Sequence, residues 1–209
     1  MAEAEKNIVC IVDDDEAVRE SLQILLETMG YAVHTFESGP DFLEACGTLE
    51  AGCVLLDVRM PRMNGLEVQK RLKDITPELP VIIVTGHGDV TMAVQAMREG
   101  ATDFIEKPFQ EDALLASIEH ALTLAEQAQR RSETIAAVKS CLETLTARER
   151  EVFDQLIVGH ANKVIARILD CSPRTVEIHR ARVMDKMEAA SVAHLVRMAL
   201  TAGIEIDAD

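Results

Sequence analysis

The residues best placed to do chemistry are acids at the ends of apolar runs. CVLLD (53–57) ends in Asp57, and IVCIV (8–12) leads straight into Asp13, Asp14 and Asp15. VIIVT (81–85) closes on Thr85, and TDFIE (102–106) is followed by Lys107 and Pro108. A carboxylate at the end of a buried strand is costly unless something pairs with it. An Asp after a strand is ordinarily a turn or helix-cap residue, and Asp15, opening a helical pattern, fits that ordinary role. Asp13, Asp14 and Asp57 brought together would repel, and without a counter-ion at least one would stay protonated. A divalent cation relieves this. Hard oxygen ligands suit Mg²⁺, which keeps several waters and takes one or two carboxylates. Asp14 would bind it directly and Asp13 mostly through water, with Asp57 and the backbone carbonyl of Arg59 completing the set. The same group suits phosphoryl transfer: Asp57 as nucleophile, Mg²⁺ and Lys107 neutralising the equatorial oxygens, and Thr85 donating a hydrogen bond.

Convergence of these side chains requires strands one, three, four and five to lie side by side. Five short apolar runs read as buried strands: 8–12, 31–36, 53–57, 81–85 and 102–106. Helical patterns lie between them. Val18, Leu22, Leu25, Leu26 and Met29 share one face, closed by Gly30; residues 38–46, 66–72 and 90–97 fill the later gaps, the last stopped by Gly100. This alternation predicts an α/β unit, a doubly wound five-stranded parallel sheet whose site lies beyond the carboxyl ends of its strands.

Residues 109–158 contain neither Gly nor Pro. Leu115, Ile118, Leu122 and Ala125 recur at helical spacing, as do Ile135, Val138, Leu142 and Leu145, with Gln129 and Ser132 interrupting the seam. A long fifth helix running into a helical linker follows. A short coiled coil and, for the first half, an amphipathic helix packed on its own sheet are both open readings. The remainder is all-α. Thr146 with Glu149 forms a capping box, and that helix ends at Gly159. A second runs from 162 to about 169, a third opens at Ser172-Pro173 and reaches about 187, and Ser191 caps a fourth to about 202. The short turn between the second and third suggests helix-turn-helix. The expected divisions are 1–125, a linker at 126–141, and a four-helix domain at 142–209.

Turned at about 100° per residue, the third helix of that domain places Val176, Val183 and Met187 on one stripe, the core side. Opposite lie Arg174, Ile178, Ala181 and Asp185, with Thr175 and Arg182 on one shoulder and Glu177 on the other. An outward isoleucine between arginines is odd for a solvated surface but suits a thymine methyl in the major groove. The arginines would take phosphates or a guanine edge, and His179, Arg180 and Lys186, on the flanks, suit the backbone. A solvated charged helix with one stray apolar residue is the plainer alternative. The net charge of −15 argues against nucleic acid only on average. Residues 1–130 carry 24 acids against 10 bases, whereas 160–186 carry 6 bases against 3 acids, so a basic segment sits inside an acidic chain. No apolar stretch approaches the roughly 20 residues that span a bilayer, and no secretory signal is expected. Five cysteines without a CxxC pair disfavour zinc and disulfides and fit a reducing cytosol.

Four stretches, VDDDE, LLDVRMPRMNGLEV, VIIVTGHGD and GATDFIEKPF, resemble the receiver domain of two-component response regulators, over about residues 6–125. The resemblance implies a flavodoxin-like fold, phosphate transfer from a histidine kinase to Asp57 with Mg²⁺, a switch formed by Thr85 and Phe104 at helix four and strand five, and a cis Lys107-Pro108 bond. Three more, LTAREREVF, GHANKVIARILDCSPRTVEIHRARVMDKM and SVAHLVRMAL, resemble the LuxR/FixJ-type helix-turn-helix over about 142–203. That implies a major-groove helix at 173–187, phosphate contact at Asn162 and Lys163, and a dimer contact at 191–202. It further implies double-stranded promoter DNA as partner, action with RNA polymerase as an activator, and a cytoplasmic location. The expected function is a phosphorylation-controlled, homodimerising transcription regulator, not a classical enzyme. An aspartyl-phosphate phosphatase of the haloacid-dehalogenase kind would carry a second acid two residues after the nucleophile, where this chain has Arg59. A receiver that dimerises on DNA without phosphorylation is the third reading.

Overall fold

The structure is a computed structural model that describes residues 8–86 and 90–204; residues 1–7, 87–89 (the end of the VIIVTGHGD motif) and 205–209 lie outside the described residues, as does part of the expected N-terminal and C-terminal domain bounds. The chain divides into two compact units between Gln129 and Arg130.

The first unit alternates strand and helix: β1 (Ile8–Val12), α1 (Glu16–Thr28), β2 (Ala32–Phe36), α2 (Gly39–Cys46), β3 (Cys53–Asp57), α3 (Gly65–Ile75), β4 (Val81–Thr85), α4 (Val90–Arg98), β5 (Asp103–Glu106) and α5 (Glu111–Glu143). The strands form one parallel sheet in the order β2-β1-β3-β4-β5. Successive side chains point to opposite faces. Cys10, Val12, Val54, Leu56 and Ile83 meet Phe42, Val68, Leu72 and Ala96 on one side. Val9, Ile11, Leu55, Ile82 and Val84 meet Leu22, Leu26, Leu114 and Ile118 on the other. Both faces are covered, which is why β3 and β4 read as unbroken apolar runs. Each such Leu or Ile contributes about 1.5–3 kcal/mol by leaving water. The order reverses between β1 and β3, so a crevice opens at their carboxyl ends.

Two expectations change. The second run is not a buried strand: β2 is the sheet edge, with only Val33 and Phe36 half-buried, because β1 alone pairs with it. The first half of α5 packs on its own sheet through Leu114, Ile118, Ala121 and Leu122, the amphipathic alternative. The helix is continuous over 33 residues, and Val138 and Leu142 join the core of the second unit, so the segment expected as a linker is anchored at its end.

The second unit adds α6 (Ala147–Val158), α7 (Asn162–Ile168), α8 (Pro173–Lys186) and α9 (Val192–Thr201). Val152, Phe153, Leu156, Ile165, Val176, Val183, Met187 and Leu195 form its core. Ser172 caps α8 with Pro173 in the first turn, and Ser191 caps α9. Gly159 ends α6 at φ 96°, a conformation that costs any side chain dearly. Thr146 and Glu149 make the capping box. Glu149 does more: it is 2% exposed and accepts 2.6 Å from Lys186, whose Nζ also donates to the Thr144 carbonyl at 2.8 Å. The end of α8 is thereby fastened to the start of α6.

The Lys186 ammonium, then the backbone N–H of Thr146, hold the Glu149 carboxyl down to about 2 from an ordinary 4.5. A depressed acid favours folding above its ordinary value, and that contribution is lost as pH falls from about 4.5 through about 2. Urea titrations of the whole chain, read at NMR signals of Leu156 and Val183, should show the second unit weakening across that window. Glu149→Gln should flatten the dependence while lowering stability at pH 7. An unchanged pH profile in that variant would show that other carboxyls govern acid unfolding.

Candidate phosphoryl site and DNA-facing helix

Three strand ends build the acid site. Asp13 follows β1, Asp57 ends β3 and Thr85 ends β4; Asp13 is 4% exposed, Asp57 7% and Thr85 0%. Lys107, just past β5, is set beside them by its own N–H, which donates to the Thr85 carbonyl at 2.8 Å. The Lys107-Pro108 peptide is cis. The Lys107 ammonium reaches both acids, 2.6 Å from Asp13 Oδ2 and 3.0 Å from Asp57 Oδ1. The other oxygen of Asp57 accepts the backbone N–H of Arg59 at 2.6 Å. Asp13 Oδ1 accepts the N–H of Asp15, and Arg19 donates to the Asp13 carbonyl at 2.7 Å. Asp15 itself caps α1, accepting from Ala17 and Val18. Asp14 is exposed beside the pair, and Phe104 is half-buried against the sheet.

Burial pushes the Asp57 carboxyl above its ordinary range; Lys107 and the Arg59 N–H pull it back, and Asp13 pushes it up again. Burial alone would lower Lys107, but the two carboxylates more than offset it and its ammonium is held more firmly than usual. One cation serves two buried acids, and the balance at Asp57 stays short of neutral. Oxygen donors with unspent negative charge fit a hard divalent cation that keeps several of its waters. Among the described residues no group of three His, Cys, Asp or Glu side chains forms a closed metal cage. Asp13 and Asp57 are the two buried carboxylates that Lys107 brings together.

Three further residues support the site. Asn64 caps α3 and Gly65 is its first residue. A Cβ on Gly65 would lie 2.2 Å from the Asp57 carbonyl oxygen, so α3 can begin this close to β3 only on glycine. Arg19 lies on an ordinary helix face and carried no signal.

On α8, Val176, Val183 and Met187 are fully buried. Arg174, Glu177, Ile178, Ala181 and Arg182 are exposed, Ile178 by 49%. Thr175, His179 and Arg180 are half-buried. The Thr175 hydroxyl lies 2.8 Å from that of Ser172, inside the cap. The Arg180 guanidinium donates to Asn162 Oδ1 at 3.0 Å, joining α8 to the start of α7, where Lys163 is exposed. His179 Nδ1 is buried without a partner. Lys186 differs from the expectation of a free flank lysine: its ammonium turns inward to Glu149 and the Thr144 carbonyl, because a buried carboxylate outbids water for it.

Comparison with known proteins covers both units. Residues 9–119 match the family described as the response regulator receiver domain, and residues 143–199 match the bacterial regulatory proteins of the luxR family. The transcriptional regulatory protein FixJ of Bradyrhizobium diazoefficiens is 46% identical over 199 residues, which span 95% of this chain and 97% of that one. The structure of the response regulator StyR aligns with a TM-score of 0.81 at 40% identity, over 92% of this chain and 98% of that one. Full-length FixJ from B. japonicum aligns with a TM-score of 0.58 at 46% identity, over 96% and 98%.

Lys107→Met should leave two buried acids without their cation. Removing one partner of a buried pair costs about 3–5 kcal/mol, so the urea midpoint in Mg²⁺-free buffer should fall sharply. Asp57→Asn in that background should restore much of the loss. A midpoint that Asp57→Asn lowers further would contradict this electrostatic account.

Proposed function

Since this chain belongs to the two-component response regulators that carry a LuxR-type DNA-binding domain, we propose that it accepts a phosphoryl group on Asp57 from a histidine kinase and thereby controls its binding to promoter DNA. The observation that carries the reading is the sharing of one ammonium by Asp13 and Asp57 at the strand ends, with Thr85 next to Lys107. An Asp57 oxygen attacks phosphorus in line, the bond from phosphorus to the kinase imidazole nitrogen breaks, and the imidazole leaves with the electron pair. The product is an acyl phosphate. Arg59, through its N–H, orients the carboxylate for this attack. Lys107 moves its donors from carboxylate to phosphoryl oxygens as charge builds there. Mg²⁺, held by Asp13, Asp14, Asp57 and the Arg59 carbonyl, supplies the remaining charge neutralisation when bound.

The Thr85 hydroxyl then turns to a phosphoryl oxygen, and Phe104, on the neighbouring strand, follows into the space it leaves. The face formed by α4 and β5 changes, and with it the tendency of two copies to pair. Val94 and Met97 on α4 are 44% and 47% exposed, apolar surface that a partner copy would cover. A homodimer presents two α8 helices to two half-sites. Arg174, Glu177, Ile178, Ala181 and Arg182 face the base edges, while Asn162, Lys163, Thr175, His179 and Arg180 border the phosphates. Lys186 acts from behind, by holding α8 to α6. Bound at a promoter, the dimer acts with RNA polymerase as an activator. Among the described residues no helix is long and apolar enough to cross a membrane, and the proposed location is the cytoplasm, where kinase output and DNA meet.

Acetyl phosphate with Mg²⁺ should add one phosphoryl group to the chain, seen as an intact-mass increase that maps to the peptide holding Asp57. Asp57→Asn should abolish it with the fold intact. Stoichiometric labelling of that variant would remove Asp57 from the nucleophile's role.

A further inference from the structure

Gln69 lies on the inward face of α3 and is 1% exposed. Its Nε2 donates to the backbone carbonyl of Ala96, on α4, at 3.1 Å. Ala96 is fully buried. The Oε1 of the same amide has no protein partner, and neither has the hydroxyl oxygen of Thr76, seven residues further along the chain. Gln69 and Thr76 line one cleft, which Leu72, Leu79, Val81 and Gly100 close. The amide cannot be reversed, since Oε1 would then face the Ala96 carbonyl, acceptor against acceptor.

A buried amide with one half paired and the other orphaned is a poor way to gain stability, because an aliphatic chain of the same length fills the space without that cost. What the amide does provide is direction: it fixes where α4 sits against α3. The position matters because α4 opens at Val90, five residues after Thr85, whose hydroxyl is the group expected to move. The Gln69 bond meets α4 at Ala96, six residues into the helix from Val90.

We propose that Gln69 is a positioning residue that holds α4 in its resting place through the Ala96 carbonyl, so that phosphorylation works against this bond. The inference rests on Asp57 being the phosphoacceptor. When α4 shifts, the Nε2–carbonyl bond opens. The tether therefore sets the resting fraction of the activated arrangement. Any ligand selective for that arrangement binds with an apparent affinity reduced in proportion.

The test uses the full chain with Mg²⁺ and beryllofluoride, a mimic of the phosphoryl group on an aspartate. Gln69→Met and Gln69→Leu remove the tether and keep the volume; Thr76→Val alters the same cleft without touching α4. Both Gln69 variants should bind beryllofluoride more tightly by about two- to tenfold, the span of one net hydrogen bond. Their α4 amide resonances should lie part-way toward the wild-type saturated positions before the probe is added. Thr76→Val should change neither, whatever it does to the urea midpoint. In the wild type, the Gln69 side-chain amide resonance should move and lose exchange protection on saturation, a readout that needs no variant to fold. Unchanged or weaker affinity in Gln69→Met, or an unmoved Gln69 resonance, overturns the proposal alone. Absence of any beryllofluoride binding by the wild type overturns the phosphoacceptor reading and this proposal with it.

Discussion

One ammonium between two buried carboxylates sets the terms for the first unit. Lys107 lies within hydrogen-bonding distance of Asp13 and Asp57 at once, and neither acid is exposed enough for water to take its place. The second unit contains the same pairing with the opposite outcome. Glu149 has Lys186 to itself and a backbone N–H besides, and its carboxyl is held down to about 2. Asp57 must share its cation and is pushed up by burial. A fully compensated carboxylate is finished, a strut between two helices. An under-compensated one gains from any further cation.

Holding Asp57 in that state takes most of the first unit. The sheet order puts β1, β3, β4 and β5 side by side, and the reversal between β1 and β3 leaves their carboxyl ends clear of crossing loops. Two helical layers keep the strands dry, so the charges at their ends interact at lower dielectric than at a surface. Gly65 lets α3 start against the Asp57 backbone, and the Lys107 N–H on the Thr85 carbonyl sets the lysine's starting point. α3 also carries Gln69, so the helix that begins at the acid reaches the Ala96 carbonyl on α4.

Much of this could be read from the residues. Short unbroken apolar runs gave the strands and apolar stripes gave the helices, because each signal is local. The readings that changed depended on partners distant in sequence. β2 (AVHTF) carries His34 and Thr35 where β1 (IVCIV) is wholly apolar, and it is the sheet edge. Lys186 on a helical wheel is a flank lysine, and only the fold brings it to Glu149, 37 residues away. Gln69 carries no pattern of its own: a glutamine on an amphipathic helix normally faces water, and its burial follows from where α4 lands.

The central claim is that chemistry at Asp57 governs what α8 does to DNA. Its most direct test is the affinity of the full chain for an operator duplex, first selected from random-sequence DNA by the chain itself, at fixed salt, with Mg²⁺, with and without beryllofluoride. The account predicts binding tighter by about tenfold or more once the mimic occupies the site, consistent with ordinary coupling free energies. Equal affinity in the two states, with the mimic shown to be bound, would contradict it and leave the two units working independently.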